Sequence, residues 1–173
     1  MMEAQGALKE VLDTVKTGMK TLSDSVKSVE NFIDSAVEED CVYECIGPGE
    51  KIALPNPEHI AKANGCGSFG VIFGEEDLSR PEMVHCCNDH DICYDTCGTK
   101  KENCDQRFKR CLYSTCEVNR KEMSNLAYKK CRGGAKLLYI ATITVGCASF
   151  KEAQDNACVC VDVRDVPHKK DEL

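Results

Sequence analysis

The chain has 173 residues, 42% of them hydrophobic, which is room for one compact domain with a core plus an appendage. A formal net charge of -7 argues against nucleic acid as a partner and against simple electrostatic attraction to anionic membranes. Fourteen cysteines point to a disulfide framework formed in an oxidising compartment, and away from the cytosol.

From the N-terminus, apolar residues fall at Leu8, Leu12, Val15, Met19, Leu22, Val26, Val29 and Ile33, in alternating steps of four and three. That spacing predicts an amphipathic helix with a narrow heptad stripe, cysteine-free and ending near Asp40. Such a stripe can pair two chains, lie on a membrane or dock on the domain that follows. Docking is the favoured reading: Val and Met in the seam make a modest coiled coil, and mixed Lys and Glu do not make a basic membrane face. The segment from Cys41 to Arg80 is rich in Gly, Pro and Asn and reads as loop with little regular structure.

Ser79-Arg80-Pro81-Glu82 has the pattern of a capping box, so a helix is predicted from about Arg80 to Cys97, stopped by Gly98. Thr99-Lys100-Lys101-Glu102 repeats the pattern and predicts a second helix running toward Met123. Two helices joined by so short a turn are antiparallel. A third helix is expected in the apolar run LLYIATITVGC, with Gly133 and Gly134 obscuring its start. The fold class is therefore all-α and disulfide-rich: two antiparallel, disulfide-stapled helices with a Ca²⁺-binding loop, plus the N-terminal amphipathic helix. The expected domains are 1–40 for that helix, 41–166 for the stapled domain and 167–173 for a tail.

The cysteines act as a ruler. Cys86 and Cys93 are seven apart on the first helix of the pair, and Cys104 and Cys111 are seven apart on the second, nearly two turns in each case. Residues opposed across an antiparallel pair share a constant index sum, and Cys93 with Cys104 and Cys86 with Cys111 both give 197. These two rungs are predicted, while the remaining connectivity stays open. His90 falls on the stapled face and looks into the seam, which Asp105 reaches from the partner helix.

Asp91 shares a face with Cys87, turned about 100° from His90. If Cys87 bonds a cysteine of the preceding loop, Cys66 in Gly65-Cys66-Gly67-Ser68-Phe69-Gly70 is the natural candidate, and the loop then lies against Asp91. A Gly-rich loop that turns backbone carbonyls toward a carboxylate offers oxygen ligation suited to Ca²⁺. One helix turn thus presents a metal-ligating carboxylate to a loop and a base to a partner helix. Zinc ligation by Cys86, Cys87, His90 and Cys93 is the rival reading, but the spacing lacks the paired C-x2-4-C units of structural zinc sites. His59 and His168 read as surface residues, and His85 is assigned no role.

The run Cys86-Cys87-Asn88-Asp89-His90-Asp91-Ile92-Cys93-Tyr94 resembles the active-site signature of secreted phospholipases A2. Cys104-Asp105 with Cys111, and the glycine loop at Cys66, agree with it. The short Tyr94 to Cys104 connection and the cysteine-poor N-terminal helix are most similar to the group XII branch, over nearly the whole chain. The resemblance implies that His90 activates water, that Asp105 orients His90 with support from Tyr94, and that Ca²⁺ is held by Asp91 and the loop residues Gly65, Gly67 and Phe69. It also implies that the Gly67 N–H helps to hold an oxyanion. The implied reaction is Ca²⁺-dependent hydrolysis of the sn-2 ester of glycerophospholipids at a membrane surface. The alternative is a catalytically weak Ca²⁺-binding lipid- or protein-binding module of the secretory pathway; group XII includes a branch in which the histidine is replaced and hydrolysis lost, whereas His90 is present here. Phe69 stands where the conventional loop has glycine, and the conventional second tyrosine supporting the aspartate has no recognisable counterpart.

No sequence window has the length and apolarity expected of a transmembrane segment, and the opening MMEAQGALKE lacks the regions of a signal peptide. The chain nevertheless ends in Lys170-Asp171-Glu172-Leu173, a KDEL signal read by the KDEL receptor on lumenal proteins. The expectation is a protein of the endoplasmic reticulum lumen, or a secreted one, whose signal peptide is missing from this sequence.

Overall fold

The computed structural model describes residues 9, 10, 13, 14, 16, 17, 41–68 and 71–166. Among them the main elements are strand β1 (Lys51–Pro55), a short hairpin of β2 (Gly67–Ser68) and β3 (Val71–Ile72), helices α1 (Met83–Tyr94), α2 (Lys101–Val118) and α3 (Asn125–Ala157), and strand β4 (Cys158–Asp162). The all-α expectation is corrected by two small antiparallel sheets. β1 pairs with β4 from Lys51 opposite Asp162 to Pro55 opposite Cys158, and β2 pairs with β3. The segment read as irregular contains β1 because a strand's register is set by its partner, here about a hundred residues away in the chain.

Six residues of the N-terminal segment, 9, 10, 13, 14, 16 and 17, are helical, and Thr14 Oγ1 donates to the Glu10 carbonyl one turn back at 2.9 Å. Lys16 Nζ donates to the Ile72 carbonyl at 2.6 Å and lies 3.1 Å from Asp77 Oδ2, so this turn contacts the β2–β3 region. The rest of the helix expected over 1–40 lies outside the described residues, as do His168 and the KDEL tail.

The buried residues of α2, Lys101, Cys104, Asp105, Phe108, Leu112 and Cys116, recur at steps of three and four apart from the adjacent Cys104 and Asp105, and form one inward face. That face packs on α1 and α3, with Met83, Leu112, Leu137 and Phe150 among the large side chains fully shielded from solvent. Seven disulfides take up all fourteen cysteines. Cys86–Cys111 and Cys93–Cys104 are the two rungs between α1 and α2, and Cys66–Cys87 ties the glycine loop to α1. Cys41–Cys147, Cys45–Cys160, Cys97–Cys158 and Cys116–Cys131 complete the framework.

Neither capping box forms. α1 starts at Met83 with Glu82 in the cap position and no side-chain cap, and Glu82 instead pairs with Arg80 at 2.7 Å. Ser79 is drawn away by tertiary packing: its hydroxyl donates to the Cys131 carbonyl of α3 at 3.5 Å, and a Cβ on Gly134 would collide with it. α2 starts at Lys101 after an uncapped Lys100, while the Thr99 hydroxyl donates to the Cys93 and Thr96 carbonyls at 2.8 and 2.9 Å. The cap that does form is on α3, where Ser124 Oγ accepts from the Ala127 N–H at 3.1 Å.

α3 is much longer than the apolar run that announced it and passes through Gly133 and Gly134 without a break. By length and composition it is apolar enough to cross a membrane, which corrects the sequence expectation. Its most apolar window is 56% buried by the rest of the protein, as befits a core helix. Near its end, fully buried Gln154 takes over the local capping: its Nε2 donates to the Tyr94 and Thr96 carbonyls at 2.6 and 2.9 Å, and its Oε1 accepts from the Gly98 N–H at 2.9 Å. Gly98 adopts φ +80°, a left-handed turn that favours glycine between α1 and α2.

Candidate active site

The two rungs fix α1 against α2 so that His90 meets Asp105. His90 Nε2 and Asp105 Oδ1 are 2.8 Å apart, with both side chains at least nine-tenths buried. Because an ionised carboxylate only accepts, Nε2 carries the proton toward Asp105, and in the neutral imidazole Nδ1 keeps its lone pair. The imidazole is held between the rings of Tyr94 and Phe108, at centroid distances of 4.1 and 4.6 Å. The Tyr94 hydroxyl donates to the same Asp105 oxygen at 2.7 Å.

The other Asp105 oxygen, Oδ2, accepts from Lys101 Nζ at 2.7 Å. Burial by itself pushes the Asp105 carboxyl up. The bond from His90, the Lys101 ammonium and the Tyr94 hydroxyl outweigh that and hold its pKa below the usual carboxylate value. The same carboxylate and its own burial push the Tyr94 phenol far up, so Tyr94 stays a donor.

Asp91, one residue on, faces away from that network. Its Oδ2 accepts from the Asn64 N–H at 2.8 Å, and the Gly65 N–H adds a second backbone bond. Gly65 has φ +86°, a left-handed turn that favours glycine beside the carboxylate. Burial pushes the Asp91 carboxyl up, and the two N–H groups and His90 offset only part of it. Gly65, Gly67, His90 and Asp91 border one cleft of about 90 Å³, whose apolar walls include Phe73 from the loop and Leu138 and Val145 from α3.

Among the described residues no three His, Cys, Asp or Glu side chains gather as a metal cluster, and the loop groups bonded to Asp91 are N–H donors. Asp91 itself, a half-buried carboxylate beside a glycine loop, is the kind of oxygen ligand that a hard divalent ion such as Ca²⁺ takes. The zinc alternative is overturned, since Cys86, Cys87 and Cys93 are all in disulfides. Phe69 lies outside the described residues. His85 is exposed. His59 is not a free surface residue: its Nε2 is 2.8 Å from Asp95 Oδ1, and the same carboxylate accepts from the Lys62 N–H at 2.9 Å, tying the 57–62 loop to the end of α1. Three residues at or beside the site were missed from sequence: Asn64, Gln154 and Lys101. Only Lys101 left a signal, four residues before Asp105 on the same helix face.

A histidine held by a buried carboxylate stands here beside a second carboxylate that faces a glycine loop, on two disulfide-stapled helices. The sequence model of the family described as Group XII secretory phospholipase A2 precursor (PLA2G12) matches residues 2–173, and the chain belongs to that family. It is 34% identical over 157 residues to a mouse (Mus musculus) Group XIIB secretory phospholipase A2-like protein, covering 84% of this chain and 80% of the relative. It is 33% identical over 154 residues to the human (Homo sapiens) Group XIIA secretory phospholipase A2, covering 82% and 78%. No solved structure matches the chain.

Proposed function

We propose that this protein is a Ca²⁺-dependent phospholipase A2 that hydrolyses the sn-2 ester of glycerophospholipids to a fatty acid and a lysophospholipid. The observation that carries the reading is the 2.8 Å contact between His90 Nε2 and Asp105 Oδ1, one residue from a carboxylate set against Gly65. His90 accepts a proton from water at Nδ1 and returns it to the leaving alkoxide. Asp105 keeps the other proton on Nε2 and stabilises the imidazolium as it forms, without taking that proton itself. Tyr94 holds Asp105, and the Gly67 N–H donates to the oxyanion. Asp91 and the backbone of Gly65, Gly67 and Phe69 would hold Ca²⁺, which supplies Lewis-acid polarisation of the ester carbonyl when bound. Phe73, Leu138 and Val145 give the cleft an apolar wall suited to an acyl chain.

The secretory names of the relatives and the complete disulfide pairing support action in the lumen of the secretory pathway or outside the cell. Retrieval through Lys170 to Leu173 belongs to the same proposal and is tested by deleting them from a signal-bearing chain: unchanged secretion removes the KDEL receptor as a partner. The deciding experiment is Ca²⁺-dependent fatty-acid release from mixed phospholipid vesicles by the parent and by His90→Gln. Release by the parent alone sustains the hydrolase reading. Equal release, or none from either, leaves a Ca²⁺-binding lipid or protein module.

A further inference from the structure

His90 and Tyr94 both engage Asp105 Oδ1, which leaves the orientation of the carboxylate to whatever holds Oδ2. That group is Lys101, whose ammonium lies 2.7 Å away. Lysine is among the residues least often buried, yet Lys101 is only 8% exposed. Its ammonium also donates to the Thr142 carbonyl of α3 at 3.4 Å. α3 makes space for the pair: a Cβ on Gly146 would stand 2.9 Å from the Tyr94 hydroxyl and 3.3 Å from Lys101 Cε.

An interior lysine–aspartate pair is a poor device for stability alone, because two charges must be desolvated where apolar side chains would pack as well. What it supplies is a fixed direction and a fixed charge. A carboxylate gripped at one oxygen can turn about its Cβ–Cγ bond; gripped at both, it presents Oδ1 to one place. A cation at Oδ2 also keeps Asp105 an acceptor, so that the His90 proton stays on Nε2.

We propose that Lys101 is a positioning residue of the site, an ammonium that orients the Asp105 carboxylate and thereby fixes the tautomer of His90. The proposal deepens the hydrolase reading and, for its effect on turnover, rests on it. The test is Lys101→Met in the full chain with its disulfides formed. Fatty-acid release from mixed phospholipid vesicles, Ca²⁺ affinity by calorimetry and ¹⁵N NMR of the His90 ring are measured side by side.

The expected result is kcat lowered about tenfold or more, the scale on which outer partners of a catalytic group act, with KM and Ca²⁺ affinity unchanged. The His90 nitrogen pattern moves from a single Nε2–H tautomer toward a mixture. Lower stability with an unchanged nitrogen pattern and unchanged kcat per folded molecule is what a purely structural pair gives, and it overturns the proposal while leaving the hydrolase reading intact. If the parent itself shows no turnover, that reading fails separately and the nitrogen pattern alone decides for or against Lys101. Should Lys101→Met not fold, the parent is read directly. A slowly exchanging Lys101 ammonium resonance that moves in Asp105→Asn sustains the proposal, and one in fast exchange with solvent refutes it.

Discussion

Asp91 and Asp105 are both shielded carboxylates near His90, and their surroundings are opposite. Asp105 has an imidazole, a phenol and an ammonium on its two oxygens, and its pKa is held down. Asp91 has backbone N–H groups from a loop, and its pKa is pushed up. On one side of α1 the carboxylate is compensated by an ammonium of the protein; on the other the groups on the carboxylate are backbone N–H donors of a loop. The hold on His90 is thus built from side chains of α1 and α2, separate from the loop that Asp91 meets.

The comparison is broken most sharply by separating turnover from metal binding. His90→Gln and Asp105→Asn are each expected to cost about 10³- to 10⁴-fold in fatty-acid release, as losses of a general base or of its orienting carboxylate do, while calorimetric Ca²⁺ affinity stays near the parent's. A parallel fall in Ca²⁺ affinity would mean that the two sides are not independent. Asp91→Asn is expected to act the other way round, with Ca²⁺ affinity down about 10- to 100-fold and the His90 nitrogen pattern unchanged.

Stability against pH sharpens the contrast. With its folded pKa depressed, Asp105 contributes stability above the ordinary carboxylate pKa, and this is lost as pH falls through the folded value. With its folded pKa raised, Asp91 has the reverse sign: it costs stability as pH rises from the ordinary value through the folded one. In chelator at neutral pH, Asp105→Asn therefore lowers the unfolding free energy measured in urea, by about 3 kcal/mol for a buried ammonium left without its partner, and Asp91→Asn raises it. Added Ca²⁺ should stabilise the parent and not Asp91→Asn; equal shifts in both would place the ion elsewhere. Smallest, Gln154→Leu is expected to cost about 1–3 kcal/mol in urea melts by leaving the Tyr94 and Thr96 carbonyls unsatisfied.

What could be read in advance was whatever depends on short-range geometry. The seven-residue cysteine spacing and the antiparallel index sum are properties of α1 and α2 alone, so the rungs, the seam and the residues facing it follow from helix periodicity. The capping boxes failed for the opposite reason: Ser79 and Thr99 have the right neighbours in sequence, but α3 and the end of α1 offer their hydroxyls other acceptors. β1 was illegible because it is a strand only opposite β4. Lys101 falls between the two capping residues of the Thr99–Glu102 pattern, and nothing local says that its ammonium is buried under Gly146.

The framework also sets an order of assembly. Cys93 and Cys104 are 11 residues apart, whereas Cys41 is 106 from Cys147 and Cys45 is 115 from Cys160. On a ribosome adding about 5–20 residues per second, Cys41 and Cys45 wait on the order of ten seconds for thiols that do not yet exist, while the rungs around His90 can already close. The bridges from the segment ahead of β1 to α3 and β4 can close only on a nearly finished chain.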